Sequence, residues 1–194
     1  MTGRVSVSGY RGQNCNGVGS GGTATSYYSQ SASYTISTGT KGIVQFRVPF
    51  GDINEGKPAR ITGISVQLKA NSGSDAFNVI LNGESQTVSI STTPTVVIFE
   101  NETIEYFNSR RDSNNCFPSS TSYITLRFLD RTVSGGSCKI SPINQKLFIQ
   151  WESLDPIRVF DGTEWKAADA YVYTGETWAK AACYINDGSE WKNS

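Results

Sequence analysis

The stretch Ile61 to Ile90, ITGISVQLKANSGSDAFNVILNGESQTVSI, decides the fold class. Ile61 to Leu68 alternates apolar with polar residues over most of its length, and so do Phe77 to Leu81 and Gln86 to Ile90. This two-residue period turns one face of a strand toward a core and the other toward water. The breaks between the runs are turn chemistry: NSGS at 71 to 74, then Asn82-Gly83, the dipeptide of a two-residue hairpin. Three strands and two turns in thirty residues imply an antiparallel sheet.

The same texture extends outward in both directions. Ile43 to Val48 (IVQFRV), Thr95 to Phe99 (TVVIF), Tyr123 to Phe128 (YITLRF) and Lys146 to Trp151 (KLFIQW) are further strands, and SGGS at 134 to 137 is another turn. One short helix is expected over Asn101 to Ser109, where Ile104 and Phe107 stand three apart. Gln13 to Ser33, rich in Gly, Ser and Tyr, reads as a long loop laid over an edge. Seven short strands with this spacing predict an all-β protein, a jelly-roll-like antiparallel β-sandwich over residues 1–155.

Near Asp155-Pro156 the texture changes and a short phrase is said three times: RVFDGTEW from 158, YVYTGETW from 171 and YINDGSEW from 184. Gly162, Gly175 and Gly188 are 13 residues apart, as are Trp165, Trp178 and Trp191. Residues 156–194 are therefore expected to be a small array of three β-hairpin repeats, with those glycines in two-residue turns. That register sets Arg158 opposite Trp165, Tyr171 opposite Trp178 and Tyr184 opposite Trp191. These six side chains are the candidate partner-binding or glycan-binding residues. The rings fit either the core of the array or an open stacking platform.

Composition narrows the functions further. Seventeen basic and seventeen acidic residues cancel, which argues against nucleic acid and an anionic membrane as partners. Histidine is absent, so the commonest general base is missing. Asp52 with Glu55, and Glu100 with Glu102 and Glu105, sit in hydrophilic contexts that read as solvated surface, and no enzyme is expected. GQNCNGVGSGG at 12 to 22 is not followed by a helix, so it is no phosphate loop.

Cys15, Cys116, Cys138 and Cys183 lack zinc spacing. They leave open either one bridge, Cys116 with Cys138, or four thiols. No cofactor is expected, although Asn71 to Asp75 and Asp112 to Asn115 carry oxygen ligands of the kind calcium takes, without motif spacing. The start, MTGRVSVSGYRGQ, lacks the pattern of a secretory signal, so synthesis in a cytoplasm is expected.

The threefold Gly-Trp phrase resembles the short C-terminal repeats of virion proteins from phages of Gram-positive and gut bacteria, where it is appended to fibre, baseplate and other structural chains. The segment 22–53, GTATSYYSQSASYTISTGTKGIVQFRVPFGDI, resembles the start of jelly-roll modules of phage appendages and carbohydrate-binding proteins. The repeats are also similar to choline-binding and wall-binding repeats of bacterial surface proteins, but their period is shorter.

The phage resemblance implies a non-enzymatic structural protein located in the virion (tail, neck, fibre or capsid decoration), working in assembly or host attachment. Its partners would be other virion proteins and copies of itself, a trimer being favoured. The alternative is a carbohydrate-binding module that takes a host surface polysaccharide.

Overall fold

The computed structural model describes residues 2–16, 24–37, 40–130, 136–154, 157–160, 163, 165–168, 171–180, 184–186 and 191–193. The strands are β1 (Thr2–Asn16), β2 (Ala24–Tyr28), β3 (Tyr34–Ser37), β4 (Thr40–Pro49), β5 (Ala59–Leu68), β6 (Ser72–Leu81), β7 (Glu84–Ile90) and β8 (Thr95–Phe99). After helix α1 (Asn101–Asn108) come β9 (Thr121–Asp130), β10 (Ser137–Ile140) and β11 (Lys146–Ser153). Three short strand pairs follow: β12 (Ile157–Phe160) with β13 (Trp165–Ala168), β14 (Tyr171–Tyr173) with β15 (Trp178–Lys180), and β16 (Tyr184–Asn186) with β17 (Trp191–Asn193).

The chain is all-β, and its pairing gives the jelly roll. β6 pairs with β7, β5 with β8, β4 with β9 and β1 with β11, all antiparallel. The pairs nest, so the chain follows one long hairpin rolled up on itself. Rolling puts alternate pairs side by side: β1-β11-β5-β8 form one sheet and β4-β9-β6-β7 the other. This is the two-sheet arrangement that defines the fold.

The two sheets join because β1 belongs to both. Thr2 to Ser8 pair with β11, and Gly9 to Asn16 cross over to pair with β4, with an irregularity between Gly9 and Arg11. At that corner a Cβ on Gly9 would overlap the carbonyl oxygen of Pro142, and farther along a Cβ on Gly12 would overlap the Tyr34 ring. The glycines of β1 mark close approach of neighbours to a continuous strand rather than turns.

The alternation in the sequence is the alternation in burial. Val44, Phe46 and Val48 of β4, Leu126 and Phe128 of β9, and Phe77, Val79 and Leu81 of β6 are all buried. They share one apolar cluster with Ile61, Ile64, Val66 and Leu68 of β5 and with Leu147 and Ile149 of β11. Ile61 and Ile64 break the two-residue period yet both face inward, because the β5–β11 register shifts between Gln150 and Trp151 and leaves Thr62 as the extra residue. A bulge restores the phase.

Several expectations need correction. Gln13 to Ser33 is not a long loop where it is described: Gln13 to Asn16 end β1, and Ala24 to Tyr28 pair with it. NSGS at 71 to 74 is mostly strand, since Ser72 to Ser74 pair with β10. Asn82-Gly83 is the predicted two-residue turn, with φ values of 50° and 91° between the paired Leu81 and Glu84. The expected helix stands at Asn101–Asn108. The boundary at Asp155-Pro156 and Ser134-Gly135 of SGGS lie outside the described residues.

Candidate functional site

In all three C-terminal units the register differs from the expectation. Trp165 pairs with Phe160, Trp178 with Tyr173 and Trp191 with Asn186. Arg158 faces Ala167, Tyr171 faces Lys180 and Tyr184 faces Asn193. Each loop thus has four residues rather than two. In the β14–β15 loop a cause is visible. A two-residue turn of the expected type needs positive φ at both positions, and Thr174 is β-branched, for which that region is strongly disfavoured.

Only Gly175 takes positive φ, at 99°. Thr174 N–H donates to Thr177 O at 2.9 Å, the Thr174 hydroxyl donates to the same oxygen at 3.0 Å, and Thr177 N–H donates to Thr174 Oγ1 at 3.3 Å. The threonine side chain closes the loop in place of a tighter turn.

Trp178 is 70 % exposed and Tyr173 54 %, with ring centroids 5.4 Å apart and planes tilted by 49°. Val172 beside them is 53 % exposed. At Trp178 the ring is therefore open rather than core. The backbones of Arg158, Trp165, Tyr171, Tyr184 and Trp191 lie in strands, but their side chains, together with Gly162 and Gly188, fall outside what is described. Open space surrounds the Gly175 Cα, so a side chain there meets no neighbour. Gly175→Val is expected to cost about 1–3 kcal/mol locally through backbone strain alone, enough to melt an isolated hairpin. Circular dichroism should lose the hairpin's aromatic signal while the sandwich melts unchanged; retention of that signal would argue against the loop geometry.

A second feature, missed in the sequence, is a cleft of about 410 Å³ on the outer face of the β4-β9-β6-β7 sheet. Its walls include the β6–β7 turn at Asn82 and Gly83, Tyr106 from α1, and Tyr123, Thr125 and Arg127 from β9. Helix α1 is fixed to the sandwich in two ways. The Glu84 carboxylate accepts from Glu100 N at 3.1 Å and from the Thr103 hydroxyl at 2.7 Å. The Asn108 amide brackets Ile61, accepting from its N–H at 2.8 Å and donating to its carbonyl at 2.9 Å. Phe107 is buried against Phe50, and this leaves the adjacent Tyr106 pointing out at 40 % exposure.

The remaining candidate groups are surface carboxylates and loop oxygens. Asp52, Glu55, Glu100, Glu102 and Glu105 are exposed, and Glu55 pairs with Lys57 at 3.2 Å. Asn71 Oδ1 accepts from Ser141 N at 3.1 Å and from Asn144 Nδ2 at 2.9 Å. Asp112 Oδ1 accepts from Asn114 N and Cys116 N, both at 2.9 Å, which makes a local turn. Both loops with calcium-type oxygens thus spend ligands on their own backbone or neighbours.

Cys116 and Cys138 are free thiols and do not form the bridge left open by the sequence. Burial, with Asp75 adding a smaller effect, pushes the Cys138 thiol up to about 12, so it stays protonated at neutral pH. No protein-family model matches the chain, and no characterised protein matches it in sequence.

Proposed function

We propose that the chain is a non-enzymatic structural protein of a phage particle, working in assembly or host attachment through its C-terminal hairpins. The reading is supported by the β14–β15 hairpin, which leaves Trp178, Tyr173 and Val172 open on a unit of six strand residues. A two-stranded unit of that size is marginal in water, and apolar surface it cannot bury itself is surface for a partner. Other virion proteins and further copies of this chain, assembled as a trimer, are the partners of this proposal. The repeated Gly-Trp phrase is the reason for choosing a virion over other assemblies.

Quantitative proteomics of purified virions tests the assignment, and absence of the protein from the particle would sink it. Trp178→Ala is expected to reduce particle-associated copies severalfold while the melting temperature of the sandwich stays unchanged, because an open ring supports no core. Full incorporation of this variant would remove the hairpin from the assembly role. A second reading, a carbohydrate-binding module, is favoured by the same tilted Tyr173–Trp178 pair, since a fixed open ring can stack on a sugar. Trp178-dependent binding to host surface polysaccharide in a pulldown would select it.

A further inference from the structure

We propose that the cleft on the jelly roll is a binding site for an acidic saccharide, a sugar segment carrying a carboxylate or a phosphate. The inference is independent of the particle assignment and concerns a different surface from the hairpins.

The first observation is a pair of rings held ready. Tyr123 is 50 % exposed, yet its ring is flanked by Tyr10 at 5.7 Å and by the Arg11 guanidinium at 5.6 Å. Tyr106 has the Arg110 guanidinium 4.9 Å from its centroid and also accepts a hydrogen bond from Arg110 on its hydroxyl oxygen. Both rings are therefore positioned before any ligand arrives, which lowers the entropy cost of binding. Because the Tyr106 oxygen already accepts, its own proton is available to donate.

The second observation is charge. Burial alternation turns Lys41, Ile43, Gln45 and Arg47 of β4 outward, in register with Leu129, Arg127, Thr125 and Tyr123 of β9. The outward positions of β6 and β7 beside them are Ala76, Asn78 and Ile80, then Ser85, Thr87 and Ser89. No carboxylate occupies any of these positions, although the whole chain balances its charges. Arg127 lines the cleft and makes no ion pair among the described residues. An unpaired guanidinium is a fork suited to carboxylate or phosphate oxygens.

Together these features select a ligand that offers apolar C–H faces, many hydroxyls and a negative charge. Apolar faces stack on the tyrosines, hydroxyls meet Asn82 and Thr125, and the acid meets Arg127. A single-stranded nucleic acid also combines stacking with charge, but it needs an open groove tracking its backbone. Here the β6–β7 turn and α1 wall the site, and its volume is that of a small-ligand cleft.

The test titrates the full chain calorimetrically with oligogalacturonate, with a phosphorylated galacto-oligosaccharide, with a neutral galacto-oligosaccharide of equal length and with an oligodeoxynucleotide. At least one acidic saccharide probe is expected to bind roughly tenfold or more tighter than the neutral one, and added salt should weaken it. Which acid binds identifies the source of the charge. Arg127→Gln and Tyr123→Ala should each weaken binding about tenfold. Arg127 is exposed, so its variant keeps the native melting temperature. Absence of binding to both acids, equal binding of the neutral sugar, tighter binding of the oligonucleotide, or an unaffected Arg127→Gln would each overturn the proposal.

Discussion

Phe128→Ala is expected to lower the stability of the sandwich by about 3–5 kcal/mol, with the melting temperature falling by on the order of 10 °C. Phe128 lies on β9, in the sheet opposite Ile64 and Leu147, and none of its surface is open. Its ring meets Phe77 of β6 edge to face, with centroids 6.3 Å apart and planes at 83°. Truncation removes the transfer energy of the ring and that aromatic pairing. It also leaves a cavity between two sheets that are joined along β1 and so cannot simply close over it. Val96→Ala on β8 is the matched control: Val96 is 57 % exposed, and its loss should stay within about 0.5 kcal/mol. Chemical denaturation followed by tryptophan fluorescence measures both. Similar midpoints for the two variants would show that the buried cluster does not hold the fold.

That core was legible because its residues obey a two-residue period. All seven strands expected from alternation are strands in the protein, within a few residues at their ends. Of the four that escaped, β1, β2, β3 and β10, β1 and β10 show why. β1 carries Gly3, Gly9 and Gly12 where an alternating strand would place apolar side chains, because Trp151, Pro142 and Tyr34 fill that space from neighbouring segments. β10 has only Cys138 and Ile140 facing inward, too few to make a period. A strand that supplies only two apolar side chains of its own, such as Val5 and Val7 or Cys138 and Ile140, leaves too short a pattern to stand out in the sequence.

The sites were less legible than the core. The three units are hairpins, but each loop is two residues longer than a two-residue turn: at Thr174 the β-branched side chain disfavours positive φ, and the two Asp-Gly units adopt the same register. The cleft draws Tyr106 from a helix, Asn82 from a turn and Arg127 from a strand, a meeting that only the fold arranges. One signal was present. In TSYITLRFL the residues that alternate with the core positions Ile124, Leu126 and Phe128 are Tyr123, Thr125 and Arg127, a ring and a cation on the wet face of a central strand. An aromatic and an arginine on the outward face of one strand, with only Thr125 between them on that face, are more than solubility requires.

Gln145→Leu carries the other large expected effect, a loss of about 3–4 kcal/mol with hardly any change in side-chain volume. Gln145 sits just before β11 and is fully buried, an unusual place for an amide. Its Oε1 accepts from Lys69 N at 2.9 Å, and its Nε2 donates to Lys69 O at 2.8 Å and to Ser141 O at 3.0 Å. The side chain thereby continues the β5–β11 ladder by one step beyond the last backbone pair, Lys146 with Gln67. Its own carbonyl accepts from Gly9 N at 2.9 Å, where β1 passes from one sheet to the other.

Leucine fills the space but leaves the Lys69 N–H and carbonyl without partners, while Ser141 O keeps its bond from Asn144 N at 3.1 Å; each orphaned group costs about 1–3 kcal/mol. A cavity mutation loosens the core broadly, whereas this loss is confined to the corner. Hydrogen exchange separates the two: the Lys69 amide should become fast in Gln145→Leu while amides at the centre of β9 keep their protection relative to global unfolding. Native-like protection at Lys69 would mean that the strand ladder, and not the glutamine, holds the corner shut.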